Sequence, residues 1–240
     1  MKLKNLIAVM LSATALFSFV SAVLLVNKKS FVAASVSPMK TVVIDAGHGG
    51  VDSGAVSSDG IMEKNINLDI ALKLNDILTS YGIKTVMIRQ TDTDISDAGC
   101  ESVREKKISD IHNRFDIVNE TANSILVSIH QNYYEEPKYS GAQVFYSPND
   151  DESRLLAEQI QQSVVNNLQK ENMRRVKASG DSIYLLYRAQ RPSVMVECGF
   201  LSNPEEAQKL NDEEYRRQLA LFIADGILNY LGGNPDGSEN

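Results

Sequence analysis

Four residues of this sequence have side chains suited to hydrolytic metal chemistry: His48, Glu63, His130 and Glu197. Two neutral imidazoles and one carboxylate are the ligand set of zinc hydrolases, with a fourth position left for water. Zinc lowers the pKa of such a water towards 7 and polarises the carbonyl under attack. A carboxylate that does not bind the metal can take the water proton and deliver it to the leaving nitrogen. The two glutamates can therefore divide the roles of ligand and base.

These four residues are far apart in the sequence, so only the fold can bring them together. His48 follows one predicted strand, while His130 and Glu197 each end another. Glu63 lies in the first turn of the first predicted helix. In parallel sheets the carboxyl ends of the strands form one rim, and ligands bind beyond it. The sequence therefore predicts a site for one Zn²⁺ ion on this rim.

Taken singly, each of the four residues also has an ordinary structural interpretation. His48 can shape a glycine turn, and His130 can be a strand-end histidine with its hydrogen bonds satisfied. Glu63 can be a helix N-terminal acid favoured by the helix dipole. Glu197 is harder to explain in this way, because its neighbours in the sequence are apolar and an unpaired buried carboxylate is costly.

The hydrophobic pattern predicts the elements that must position these residues. Apolar or β-branched runs predict strands at residues 41–45, 83–88, 124–130, 143–146 and 193–197. Apolar residues at helical spacing predict intervening helices, two of them beginning at Asp150 or Asp151 and at the Asn203-Pro204-Glu205-Glu206 capping sequence. Strands that alternate with helices predict a single α/β domain with a mostly parallel twisted sheet and helices on both faces.

The first 40 residues differ from the rest of the chain. Leu6 to Val26 form 21 residues without a charge, long enough to cross a bilayer as a helix. Lys2 and Lys4 precede this run and direct the following chain outward. Residues 1–40 are therefore expected to be an N-terminal hydrophobic helix with a short linker, either a cleaved signal peptide or a membrane anchor. The catalytic domain is expected at 41–231, with a disordered tail at 232–240.

The charge of the remaining chain excludes some partners. Five of the 24 Lys and Arg residues lie within residues 1–40, which leaves 19 against 31 Asp and Glu, a net charge near −12. Such a charge repels nucleic acid. Two cysteines, Cys100 and Cys198, are too few for a disulfide framework.

Several sequence blocks resemble one enzyme family. Residues 41–55, Glu63-Lys64, Ser128 to Asn132 and Val196 to Asn203 occur in the order of the blocks of the amidase-3 family of N-acetylmuramoyl-L-alanine amidases. The resemblance covers residues 41–231. It implies that His48, Glu63 and His130 bind zinc and that Glu197 is the catalytic base. It also implies hydrolysis of the amide between N-acetylmuramic acid and the L-alanine of the peptidoglycan stem peptide.

Within that family the chain is most similar to CwlD-type, germination-specific amidases of the spore cortex. The shared features are a bare catalytic domain, a hydrophobic leader and no wall-binding repeats. The resemblance implies removal of stem peptides for muramic-δ-lactam formation, outside the cytoplasm, facing the cell wall or the forespore intermembrane space. It also implies an accessory lipoprotein as a partner. The chain departs from the family at Arg175, where the family commonly has glycine. The position lies near the family's substrate groove, so the replacement bears on the shape of that groove.

Other polar residues have competing interpretations. Asn132 follows His130 by two residues and can bind substrate or cap the strand end. Arg114 can reach an acidic group of the stem peptide or lie on a solvated helix face. Cys198 can be a thiol nucleophile, but adjacent strand residues point to opposite faces, which places it in the core if Glu197 faces the groove.

Three other functions compete with a zinc amidase. A zinc peptidase on a similar sheet shares the chemistry and cuts a different bond. An inactive peptidoglycan-binding module would share the fold, although the presence of both Glu63 and Glu197 speaks against it. A thiol hydrolase would depend on Cys198.

Overall fold

The computed structural model describes residues 40–232. The predicted leader, apart from Lys40, and the tail from residue 233 onward lie outside the described residues. Within residues 40–232, no helix combines the length and the apolar character that crossing a membrane requires. The first strand begins at Thr41, and the last helix ends at Gly232, which was assigned to the tail from the sequence.

Six strands form one sheet. They are β1 (Thr41–Ala46), β2 (Thr85–Met87), β3 (Ser124–Asn132), β4 (Gln143–Tyr146), β5 (Lys177–Ala178) and β6 (Ser193–Phe200). Their order is β2-β1-β3-β6-β4-β5, and all neighbours are parallel except β4 and β6. The predicted α/β class with a mostly parallel sheet is confirmed.

Helices cover both faces of this sheet, also as predicted. They are α1 (Glu63–Ser80), α2 (Val103–Glu120), α3 (Asp151–Asn167), α4 (Tyr184–Arg188), α5 (Pro204–Asn211) and α6 (Glu213–Gly232). One face, here called the α1 face, buries Ile44, Val127 and Val196 against α1, α3, α5 and α6. The opposite α2 face buries Leu126 and Met195 against α2 and α4. Coverage on both sides explains why β1, β3 and β6 are apolar almost throughout.

Local side-chain contacts fix the helix starts that position the site. Ser102 and Glu105 form a reciprocal capping box at α2. Asp150 is the N-cap of α3 and accepts a hydrogen bond from the Glu152 N–H, in agreement with the sequence analysis. Asn203 caps α5 in the same way, with Pro204 as the first helical residue.

One local prediction was wrong. The strand expected at residues 83–88 is reduced to three half-buried residues, because β2 lies at the edge of the sheet and pairs only with β1. The predicted start of α5 is confirmed, but the carboxylate of Glu206 does not bond back to the cap residue. This carboxylate instead accepts hydrogen bonds from the backbone N–H groups of Gly141 and Phe200, which ties the loop before β4 to the end of β6.

The central strands bring the predicted residues to one rim. β1, β3 and β6 lie side by side and run in the same direction, so their carboxyl ends coincide. His130 of β3 lies directly opposite Glu197 of β6. The loop that follows β1 carries His48, and α1 begins at Glu63.

Candidate metal centre

Three of the four predicted residues face one another on this rim. One potential ligand atom from each of His48, Glu63 and His130 lies within 4.8 Å of the other two. The His48 Nε2 atom is 3.2 Å from one carboxylate oxygen of Glu63, and the His130 Nδ1 atom is 3.0 Å from the other. His48 lies 15 positions before Glu63, and His130 lies 67 positions after it. The sequence spacing alone therefore does not reveal that both histidines contact the same carboxylate.

Glu63 is held in place by hydrogen bonds from the backbone. Its side chain is only 4% exposed and accepts hydrogen bonds from the N–H groups of Ala55 and Gln131 and from the Asn67 side chain. Burial raises the pKa of the carboxyl, but hydrogen bonds with His130 and His48 outweigh it and hold the pKa far below its usual range. Glu63 is thus an ionised acceptor that faces both imidazoles.

The ring of His48 is oriented by a carboxylate that the sequence analysis missed. Asp52 accepts a 2.8 Å hydrogen bond from His48 Nδ1, which leaves Nε2 facing Glu63. Asp52 itself pairs with Lys107 and accepts from the Gly54 N–H. A carboxylate behind a histidine is the usual support of a metal-binding imidazole. Its position four residues after His48, in the glycine-rich block, was the available signal.

His130 approaches the backbone so closely that only glycine fits beside it. A Cβ atom at Gly47 would lie 2.2 Å from His130 Nε2. The next residue, His48, has a φ of 61°, a left-handed conformation that is uncommon for a residue other than glycine. The glycine loop is therefore shaped by the packing of the two histidines, whose ring centroids are 4.9 Å apart.

Two buried arginines hold the carbonyl groups of this loop. Arg89 donates to the carbonyls of Ala46 and Gly47, and Arg114 donates to those of Ala46 and His48. Both side chains are almost fully buried. Two side chains that are not candidate ligands, Arg89 and Arg114, thus fix the backbone around His48.

Arg114 corrects an expectation from the sequence. It lies on α2 but is 2% exposed, so it is not on a solvated helix face. Its five N–H donors are taken up by Asp45, by both oxygens of Asp110 and by the carbonyls of Ala46 and His48. This saturation gives no support to a substrate contact. The guanidinium holds the pKa of Asp45 below its usual range, although burial opposes it.

Glu197 is the carboxylate with an unsatisfied atom. Its Oε2 is buried and makes no hydrogen bond within the part of the chain that the structure describes. Burial raises the pKa of its carboxyl to about 7, although the nearby imidazole of His130 opposes the rise. Along β6, Met195 and Glu197 lie on the α2 face, whereas Val196 and Cys198 lie on the α1 face, where Cys198 is part of the core.

The structure tests the predicted place of Cys198 but not the predicted role of Asn132. Cys198 is fully buried, and burial raises the pKa of its thiol, so it has neither access nor thiolate character. Its predicted place in the core is confirmed.

The structure has an irregularity of register between His130 and Asn132, so simple alternation does not fix the direction of the Asn132 side chain. Its substrate role stays a prediction.

The residues of this rim fit a divalent cation. The donor set of two imidazoles and a carboxylate matches hydrolytic zinc. Burial lowers the pKa of His48, but Asp52 and Glu63 outweigh it and raise the pKa to about 9, so the surroundings attract positive charge. A cavity of about 230 Å³ opens beside His48 and His130, with Tyr184 and Met195 among its lining residues. It gives space for a reacting group next to the donors.

Comparison with known proteins is consistent with this chemistry. Residues 42–229 match the family described as N-acetylmuramoyl-L-alanine amidase. The germination-specific N-acetylmuramoyl-L-alanine amidase of Bacillus subtilis is 34% identical over 83% of this chain and 83% of its own length. The solved CwlD amidase of Clostridioides difficile, in complex with the GerS lipoprotein, is 40% identical with a TM-score of 0.78, covering 80% of this chain and 98% of that one. AmiC2 of Nostoc punctiforme, an N-acetylmuramoyl-L-alanine amidase, is 31% identical with a TM-score of 0.70, covering 81% and 98%.

The buried network behind the site leads to a stability prediction. Replacing Arg114 with Met leaves Asp45 and Asp110 without their cation, and breaking a buried ion pair in this way costs about 3–5 kcal/mol. The free energy of unfolding, measured by urea denaturation, should fall by that amount. Arg154→Met is the matched control, because Arg154 forms the same type of i,i+4 pair with Glu158 on an exposed helix surface, where solvent screens the pair, and the free energy of unfolding should change far less. Equal losses in the two variants would contradict the network.

Proposed function

The chain belongs to the amidase-3 family of N-acetylmuramoyl-L-alanine amidases, hydrolases of an amide bond in peptidoglycan, and we propose that it acts with one zinc ion bound by His48, Glu63 and His130. Glu197 is the catalytic base. The bond cleaved joins the lactyl group of N-acetylmuramic acid to the L-alanine of the stem peptide. The catalytic domain is 41–231, preceded by the leader at 1–40.

One observation supports this proposal above the others: the rim holds two glutamates in opposite situations. Both oxygens of Glu63 face imidazole nitrogens, at 3.2 and 3.0 Å. Glu197 lies opposite His130 in the sheet and keeps a buried oxygen without a hydrogen-bond partner among the described residues. The first arrangement suits a metal ligand. The second suits a group that exchanges a proton with water and substrate.

The residues then have distinct tasks in hydrolysis. Bound zinc supplies Lewis-acid polarisation of the scissile carbonyl and acidifies water. Asp52 keeps Nε2 of His48 directed at the metal position through its hydrogen bond to Nδ1. A carboxylate oxygen of Glu197 accepts the proton of the attacking water and transfers it to the amide nitrogen as the C–N bond breaks. The products are a free lactyl carboxylate and a stem peptide with a free amino terminus.

We place this activity on spore cortex peptidoglycan, outside the cytoplasm. The support is similarity: one relative is named a germination-specific amidase, and one similar structure is a CwlD amidase with a lipoprotein bound. In this setting the enzyme removes stem peptides for muramic-δ-lactam formation, and an accessory lipoprotein is its partner. The leader either anchors the domain to the membrane or is removed on export. Arg175, which replaces a common glycine, is exposed and has no left-handed φ, so the backbone tolerates it.

Removal of metal tests the cofactor. Treatment with a chelator should abolish hydrolysis of purified peptidoglycan, because it removes the ion that polarises the carbonyl and acidifies the water. Added Zn²⁺ should restore the activity. Cys198→Ala is the control for a thiol mechanism and should retain activity, since the thiol is buried away from the rim. Hydrolysis that persists in chelator and is lost in Cys198→Ala would refute the zinc assignment.

Replacement of Glu197 tests the base. Glu197→Gln should keep one zinc per chain, measured by elemental analysis, and lower kcat by about 10²- to 10⁴-fold, the usual contribution of general acid–base catalysis. Glu213→Gln is a control on an 80%-exposed glutamate and should leave kcat unchanged. Loss of zinc in Glu197→Gln would make Glu197 a ligand instead of the base.

The bond cleaved is tested by mass spectrometry of digested muropeptides. An amidase releases intact stem peptides that begin with L-alanine and leaves peptide-free glycan. A zinc peptidase leaves residues of the stem attached to muramic acid. Products cut within the stem would overturn the proposed bond while leaving the metal assignment intact.

A further inference from the structure

A row of polar side chains leads away from the metal centre across the sheet. His130 lies opposite Glu197, and Glu197 lies opposite Gln143 of β4. Directly paired residues of neighbouring strands point to the same face, so the three side chains share the α2 face. Neighbouring strands are about 4.8 Å apart, so Gln143 lies one step beyond the catalytic carboxylate.

Arg174 ends this row. Its Nη1 donates a 3.3 Å hydrogen bond to Oε1 of Gln143, while Nε2 of Gln143 donates to the carbonyl of Arg175 at 2.9 Å. Gln143 is therefore fixed at both ends of its amide. Its orientation is set by the segment that carries Arg174.

The guanidinium of Arg174 is held in a built position. Its Nε donates to the carbonyl of Ser140 at 2.8 Å, and its Cζ atom lies over the ring of Phe200, 4.5 Å from the ring centroid, and Phe200 is buried. The ring of Tyr139 is 5.8 Å away. Stacking on an aromatic ring is a common way to fix an arginine fork.

This fixed cation keeps donors available for a ligand. Its Nη2 makes no hydrogen bond, and Arg174 forms no ion pair, among the contacts of residues 40–232. The neighbouring carboxylate of Glu206 accepts instead from the N–H groups of Gly141 and Phe200. Lys177 adds a second, exposed cation, opposite Phe145 on the α2 face. A planar fork of N–H donors recognises a carboxylate.

The substrate offers a carboxylate at a suitable distance. The second stem-peptide residue of peptidoglycan is a glutamate linked through its side chain, so its α-carboxylate is either free or amidated. Two extended residues span about 7 Å. From the strand spacing, we expect this length to reach from an amide beside Glu197 to a group just beyond Gln143, the side chain that Arg174 contacts.

Resting on the proposed amidase function, we propose that Arg174, fixed by Gln143 and Phe200, binds the α-carboxylate of the second stem-peptide residue. Gln143 borders the scissile amide and positions the cation. The site then distinguishes stem peptides with a free carboxylate from amidated ones.

A matched pair of substrates tests this subsite: N-acetylmuramoyl-L-alanyl-γ-D-glutamyl-L-lysine and the same compound with the α-carboxylate of its glutamate amidated, so that the side-chain carboxylate is linked in both. The wild-type chain should hydrolyse the acid with a higher kcat/KM than the amide. Arg174→Gln should lower kcat/KM for the acid by about 10- to 100-fold, mainly through KM, because a hydrogen-bonded ion pair is lost. It should change the amide little. Arg154→Gln removes the same charge from an exposed helix surface and should preserve the wild-type ratio.

Binding of the same two probes to the zinc-loaded Glu197→Gln chain, measured by calorimetry, separates the two hypotheses. Acid-selective binding that disappears on adding Arg174→Gln supports the subsite even if no hydrolysis occurs, and absence of hydrolysis counts against the amidase function alone. Hydrolysis of both probes with equal kcat/KM, or an acid preference that survives Arg174→Gln, overturns the subsite. If Arg174→Gln does not fold, Arg174→Lys is used instead. It keeps the charge without the planar fork and should reduce the preference; an unchanged preference overturns the subsite.

Discussion

The structure depends on a carboxylate buried at the first residue of a helix. Glu63 is almost without solvent, and such a charge is stable only if every lone pair has a partner. Two backbone N–H groups, the Asn67 amide and the nitrogens of His48 and His130 provide these partners. The start of α1 adds the positive end of its dipole. The same constraint brings together a loop, a helix and a strand that are distant in the sequence. A divalent cation between the three groups would satisfy this charge without a change of fold.

Support for that carboxylate comes from a second layer of buried charge. Asp45, at the end of β1, accepts from the Arg114 guanidinium and from the Ser128 hydroxyl. Arg114 also donates a hydrogen bond to the carbonyl of His48. The ion pair between Arg114 and Asp45 is therefore linked directly to the loop that carries His48. Burying these charges is costly, and only their nearly complete hydrogen bonding offsets that cost. The positions of the candidate ligands thus depend on hydrogen bonds made by β1 and α2, although neither element itself contains one of the three residues.

Local sequence signals predicted the parts of the fold that local chemistry decides. The apolar runs of β1 and β6, the cap at Asp150 and the core position of Cys198 follow from periodicity, capping and strand alternation, and the structure confirms them. The convergence of His48, Glu63 and His130 followed from the rule for parallel strand ends. The buried position of Arg114 could not be predicted, because three of its four partner residues lie 66 to 69 residues away and an arginine on a helix is usually solvated. Asp52 had a signal in its spacing from His48, but its role depends on which ring nitrogen faces Glu63, and only the folded loop decides this.

One strand runs in the opposite direction, so the rule for the carboxyl ends of parallel strands does not identify every residue on the rim. β4 runs antiparallel to β6, so its first residue, and not its last, reaches the rim. A search restricted to the carboxyl ends of strands finds His130 and Glu197 but misses Gln143. The reversed strand also leads the chain back through α3 to the segment before β5, which delivers Arg174 to the same edge. The parallel part of the sheet therefore brings His130 and Glu197 together, and the antiparallel strand places Gln143 beside them. In the proposed function, the chemistry would lie with β3 and β6 and the recognition of substrate with β4 and β5.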